Sequence, residues 1–92
     1  MIVRIFSDGQ YRLPDEARER LDELDTASHR AIDADDEQAY RAAFDALIAY
    51  VRSTGERLGD DELEGSDFMF PPADTSLEEA RAEFTGEGLI PE

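Results

Sequence analysis

The chain opens on "MIVRIFSDGQYRL", and this stretch narrows the possible folds more than any other. Ile2 to Phe6 is β-branched and aromatic, Asp8-Gly9 is turn chemistry, and Tyr11-Arg12-Leu13 resumes the strand. That pattern reads as a β-hairpin. A three-residue loop, Ser7-Asp8-Gly9 with Gly9 left-handed, sets Ile5 opposite Tyr11 and Val3 opposite Leu13. All four then share one face, as a half-buried strand pair requires. A two-residue Asp8-Gly9 loop would put Leu13 beside Arg4 and Tyr11 beside Phe6, mixing the faces, so the longer loop is preferred. It places Arg4 opposite Arg12 on the other face. Like charges facing each other are destabilising, so a carboxylate should lie near them. The functional reading makes Arg4 and Arg12 a small basic spot that accepts an acidic partner.

Helical periodicity follows. Pro14 opens a helix at a position where its missing N–H costs nothing, and Asp15, Glu16 and Glu19 suit the positive helix end. Ala17, Leu21, Leu24, Ser28 and Ala31 recur at spacings of four, three, four and three, a narrow seam for one neighbouring helix. Asp35 and Gln38 have capping-box spacing for a second helix, with Tyr40, Ala43, Phe44, Leu47, Ile48 and Val51 as a broader stripe and Gly55 as its end. The short connection predicts an antiparallel helical hairpin. Glu56 to Gly65 reads as a polar loop. Thr75 and Glu78 have the spacing to cap a short third helix carrying Leu77, Ala80, Arg81 and Phe84, ended by Gly86. The expected fold is therefore α+β: an N-terminal β-hairpin packed on an antiparallel helical hairpin, with an extended segment and a short C-terminal helix.

Ninety-two residues allow one small domain, spanning 1–92. Asp and Glu number 24 against nine basic residues, all arginine, for a formal charge of −15. Such like charge destabilises a compact body in dilute salt and is screened in molar salt. The charge therefore points to a cytosol of high salt, and says little about partners. The alternative is an acidic mimic of nucleic acid. No cysteine is present, which excludes disulfides, thiolate catalysis and Cys-ligated zinc. No stretch approaches the ~20 apolar residues of a membrane span, and "MIVRIF" lacks the length of a signal peptide's apolar region. A cytoplasmic location is the expectation.

Catalytic chemistry has little to work with. The single histidine, His29, falls off the apolar seam of the first helix, with no orienting partner or pocket marked in the sequence. "DADDE" and "GDDELE" lack the ligand spacing of a calcium loop, and phosphate-binding and nucleophile motifs are missing. A nucleic-acid reader would carry a basic stripe, whereas these arginines are scattered and outnumbered. No catalytic, cofactor or metal residue is assigned.

Three stretches resemble a known family. The hairpin "MIVRIFSDGQYRL", the block "SDFMFPPADTSLEEAR" and the terminal "GLIP" are similar to the PspA-associated domain, PspAA, nearly end to end. The resemblance implies a small cytoplasmic partner of PspA, the phage-shock protein. PspA belongs to the ESCRT-III-like coiled-coil proteins that assemble on stressed membranes. It implies contact with membranes only through that partner, and brings no catalytic or metal residues. The expected function is a non-enzymatic protein-binding adaptor of envelope stress. The alternative is a nucleic-acid-related regulator, either a degenerate winged-helix reader or an acidic DNA mimic.

Within "SDFMFPP", Phe68 and Phe70 alternate to one face of an extended segment and Met69 to the other. The phenylalanines are expected to seal the core, with Pro71 ending the strand. Met69, with Leu89 and Ile90, is expected on an exposed apolar patch that receives an amphipathic helix.

Overall fold

A computed structural model of the chain describes residues 1–59 and 65–85, the last three by backbone alone. Strands β1 (Ile2–Ile5) and β2 (Gly9–Arg12) form the N-terminal hairpin. Helices α1 (Ala17–Asp33) and α2 (Glu37–Thr54) then fold back on each other through Ala34, Asp35 and Asp36. β3 (Glu56–Arg57), β4 (Phe68–Phe70) and α3 (Leu77–Thr85) complete the described chain. The four strands make one mixed sheet in the order β3-β2-β1-β4, with β4 parallel to β1. The architecture is α+β, with a helical hairpin on one face of the sheet.

The hairpin pairs Val3 with Tyr11, Arg4 with Gln10 and Ile5 with Gly9, two residues away from the expected register. A shift of two preserves the faces, so Val3, Ile5, Tyr11 and Leu13 still point together into the core, each buried. It separates the arginines, however. Arg4 stands opposite Gln10, and Arg12 opposite Ile2 on one side and Glu56 of β3 on the other. The turn is Phe6-Ser7-Asp8, with Ser7 in the left-handed conformation (φ 70°) and Gly9, just after it, also at positive φ (157°). The backbone of Gly9 favours glycine, and a Cβ there would also lie 3.1 Å from the Arg57 guanidinium.

Each helix starts one to three residues later than its sequence signal, for a visible reason. Pro14 and Asp15 make a lead-in turn, their carbonyls accepting from Ala17 and Arg18 N–H, and α1 proper begins at Ala17. Asp36, not Asp35, caps α2 by accepting from Ala39 N–H at 3.0 Å, while Asp35 takes φ 57° in the link. At α3 the reciprocal box is Ser76 with Glu79, Ser76 N–H donating to the glutamate and Glu79 N–H to the hydroxyl. Thr75 is buried, and its carbonyl accepts from Tyr40 O–H and Arg41. Arg41 also donates to the Ala73 carbonyl, so α2 straps down the chain entering α3.

The core lies between sheet and helix pair. α1 contributes Ala17, Leu21, Leu24, Ala31 and Ile32, together with Ser28, whose hydroxyl donates back to the Leu24 carbonyl. α2 contributes Tyr40, Phe44, Leu47, Ile48 and Val51, with the Tyr40 and Phe44 rings stacked at 5.5 Å. Gly55 leaves α2 in extended conformation where a Cβ would lie 2.8 Å from Leu13, so close approach demands glycine there. Glu56 and Arg57, expected in a loop, form the edge strand β3. β3 and β4 stand at opposite edges of the sheet, and the connection between them is described only near its ends. Its described ends both return to Gln10, through Leu58 N–H to the Gln10 carbonyl and the Gln10 amide to Ser66.

Candidate protein-binding surfaces

Phe70 is buried in the core, and Phe68 is half-buried and packs against it, so the phenylalanines do face inward. Met69 is half-buried on the opposite face, directly beside Arg4 in the β1–β4 ladder. Arg4 and Arg12 are both exposed on that outer face. The geometry therefore groups Arg4 with Met69, and separates both from Arg12, which is drawn to the β3 side. Leu89 and Ile90, the other residues expected on the patch, lie outside the described residues.

α2 carries a second surface that the large apolar stripe conceals. Ala39, Ala42, Ala46, Ala49 and Ser53 are all exposed and recur at spacings of three, four, three and four. With half-buried Ala43 and Tyr50 they form an arc free of charged residues along the helix. The chain is 36% charged, so an uncharged face of about four turns is a strong local departure. The exposed side of α1 shows the contrast, carrying Glu19, Asp22, Glu23 and Arg30 around a shallow depression. A seam of small residues in three-four spacing lets a second helix approach closely and lie along its length. The signal was legible as a second heptad period within α2, hidden because alanine adds little to an apolar stripe.

The family model described as PspA-Associated protein matches residues 1–92, the whole chain. The chain belongs to the PspA-associated protein family. No curated protein and no solved structure matches it. PspAA is not a known enzyme family. Among the described residues of this PspAA chain, no helix is long and apolar enough to cross a membrane. α2 and α3 are separated by β3 and β4, and not by the short turn that a helix-turn-helix needs.

Among the described ion pairs of the PspAA chain, the least exposed carboxylate is at the hairpin tip. The Asp8 carboxylate, 12% exposed, accepts from Arg52 at the end of α2, from Arg57 of β3 and from the Tyr11 hydroxyl. This contact across 44 residues of chain explains the turn position, since a Phe6-Ser7-Asp8 loop delivers the carboxylate to both guanidiniums. Burial pushes the Asp8 pKa up, but the hydrogen bonds from Arg52, Tyr11 and Arg57 outweigh it and hold the group below its usual value. A lowered folded pKa means stability that is present above the unfolded-state value and lost as pH falls through the folded one. In 2 M KCl, where general repulsion is screened, Asp8→Asn should cost about 1–3 kcal/mol at pH 7. Its stability should also fall less steeply than wild type below about pH 4. Urea unfolding at pH 7, 4 and 3 measures both, and parallel acid limbs would remove Asp8 from the account.

His29 is about two-fifths exposed on α1 and lies 3.3 Å from Asp25, one turn earlier. The Asp25 hydrogen bond raises its pKa against the opposing effect of burial. The arrangement is a helix-surface ion pair, and His29 is not among the residues lining the depression on α1.

Proposed function

We propose that this protein is a non-enzymatic adaptor that binds the coiled-coil protein PspA in the envelope-stress response, and that the charge-free face of α2 is its seat. The observation that carries this reading is the seam of Ala39, Ala42, Ala46, Ala49 and Ser53, exposed on an otherwise highly charged molecule. Coiled-coil helices pack by small and apolar residues at this spacing, and the family description names association with PspA. The dense negative charge repels anionic partners at long range and leaves the uncharged strip as the surface cheapest to desolvate. On this reading the protein works in a salty cytoplasm and meets membranes only through its partner.

Titration of the folded protein with the PspA of the same organism, in molar KCl, tests the adaptor role. Saturable formation of a complex is expected. Two folded proteins that show no association up to about 0.1 mM, a range covering most specific transient contacts, would end the reading.

A further inference from the structure

The outer edge of β4 suggests a second site, independent of the α2 seat. Among the described residues, β4 is an edge strand of the sheet. Phe6 N–H donates to the Phe70 carbonyl at 3.0 Å, so the backbone groups of Phe70 point toward β1. Successive residues of a strand alternate, so the N–H and C=O of Met69 point away from the sheet. They offer one donor and one acceptor to an incoming strand.

Charge around this edge is of the unexpected sign. Arg20, Arg41, Arg52, Arg57 and Arg81 each pair with a carboxylate. Arg4 and Arg18 instead lie over rings, Arg4 over Phe6 at 5.8 Å and Arg18 over Phe68 at 5.2 Å. Both flank β4, Arg18 on the helix face through Phe68 and Arg4 on the outer face beside Met69. The neighbouring Asp67 turns its carboxylate to Ile2 N–H at 2.8 Å. In a chain with 24 acids and nine arginines, two arginines held on rings at one edge form a local cationic site. Half-buried Phe6, Phe68 and Met69 supply apolar contact beside them.

We infer that the β4 edge takes an extended, acidic peptide segment of another protein by strand addition. Side chains of an added strand alternate between the faces, so carboxylates at odd spacing would meet Arg18 on one face and Arg4 on the other. Strands lie about 4.8 Å apart, and a long arginine–glutamate pair spans the two spacings from β1. The net charge of −15 repels any acidic ligand at long range, and short contacts survive screening better than that repulsion. Affinity should therefore rise between 0.1 and 1 M KCl, the reverse of an ordinary ion-pair interface.

The test uses a fluorescein-labelled octapeptide repeating valine, glutamate, glutamate, its lysine counterpart, and fluorescence anisotropy with the full chain in 1 M KCl. Saturable binding of the glutamate peptide is expected, at least tenfold weaker for Arg4→Glu and for Arg18→Glu. The charge-matched Arg30→Glu, at the far end of α1, should stay within twofold. Met69→Pro removes the outward N–H together with the methionine side chain and should abolish binding, its fold checked by circular dichroism, whereas Met69→Ala, which keeps the N–H, should weaken it less. Equal binding of the lysine peptide, no saturation by about 1 mM, or indifference to both arginine reversals overturns the proposal. A dimer of the free protein that Met69→Pro makes monomeric would assign the edge to a second copy and also overturn it. Ala46→Glu on α2 should leave peptide binding unchanged, which separates this site from the PspA seat.

Discussion

Ala46→Glu is expected to weaken PspA binding at least 100-fold while leaving the protein folded. Ala46 is exposed near the middle of the α2 seam and contributes nothing to the core. Glutamate is a good helix former, so the substitution itself costs only tenths of a kcal/mol. In a complex built on alanine spacing, helix axes lie about 8 Å apart and leave no volume for a longer side chain. The carboxylate would be buried without a partner, and an uncompensated buried charge costs several kcal/mol. At about 1.4 kcal/mol per tenfold, 100-fold is the conservative figure. Ala27→Glu, the same change on the exposed side of α1, is the control for added negative charge and should bind within about twofold of wild type. Calorimetric titration in molar KCl reads both. Equal loss in the two variants would make the effect electrostatic and remove the seat from α2.

The second large effect concerns salt. A charge of −15 on a body with a radius of gyration of 12.7 Å has a self-repulsion of roughly 10 kcal/mol in 0.1 M salt and roughly 4 kcal/mol in 1 M. The unfolded chain is repelled as well, though less because it is larger, so about half of the difference, about 3 kcal/mol, acts on folding. For a domain of this size each kcal/mol moves the melting midpoint by about 4–8 °C. The midpoint should therefore rise by about 15 °C between 0.1 and 1 M KCl. Thermal denaturation followed by circular dichroism measures it, and a flat profile would mean that the acidic coat is not an adaptation to salt. The Asp8 ion pairs act in the opposite direction, since salt weakens them. Their few contacts are outweighed by the summed repulsion.

The elements whose signals are local were legible. The seam of α1, from Ala17 to Ala31, and the buried stripe of α2 are where periodicity placed them, because each helix packs by one face. The shared face of Val3, Ile5, Tyr11 and Leu13 was also legible, since parity survives any even shift of register. The register itself was not, because Asp8 is drawn to Arg52 and Arg57 from far along the chain. β3, read as loop, is too short for a propensity signal, whereas β4 was legible as an extended segment ended by Pro71 and only its parallel pairing with β1 was not. Caps slipped by one residue at α2 and α3 because adjacent Asp35-Asp36 and Thr75-Ser76 offer two candidates each. Tertiary bonds to the Thr75 carbonyl select Ser76 for α3. Of the residues expected to bind a partner, Arg4 and Met69 were paired by the β4 strand, a parallel pairing that no local pattern announces.

Alanine-methyl NMR of the complex tests the seat most directly, because alanines lie on every helix. On adding PspA, the methyls of Ala39, Ala42, Ala46 and Ala49 should shift or broaden first, while Ala27 and Ala34 on the α1 side stay in place. A saturated complex whose changes fall on Ala27 and Ala34, with the four α2 methyls untouched, would contradict the account.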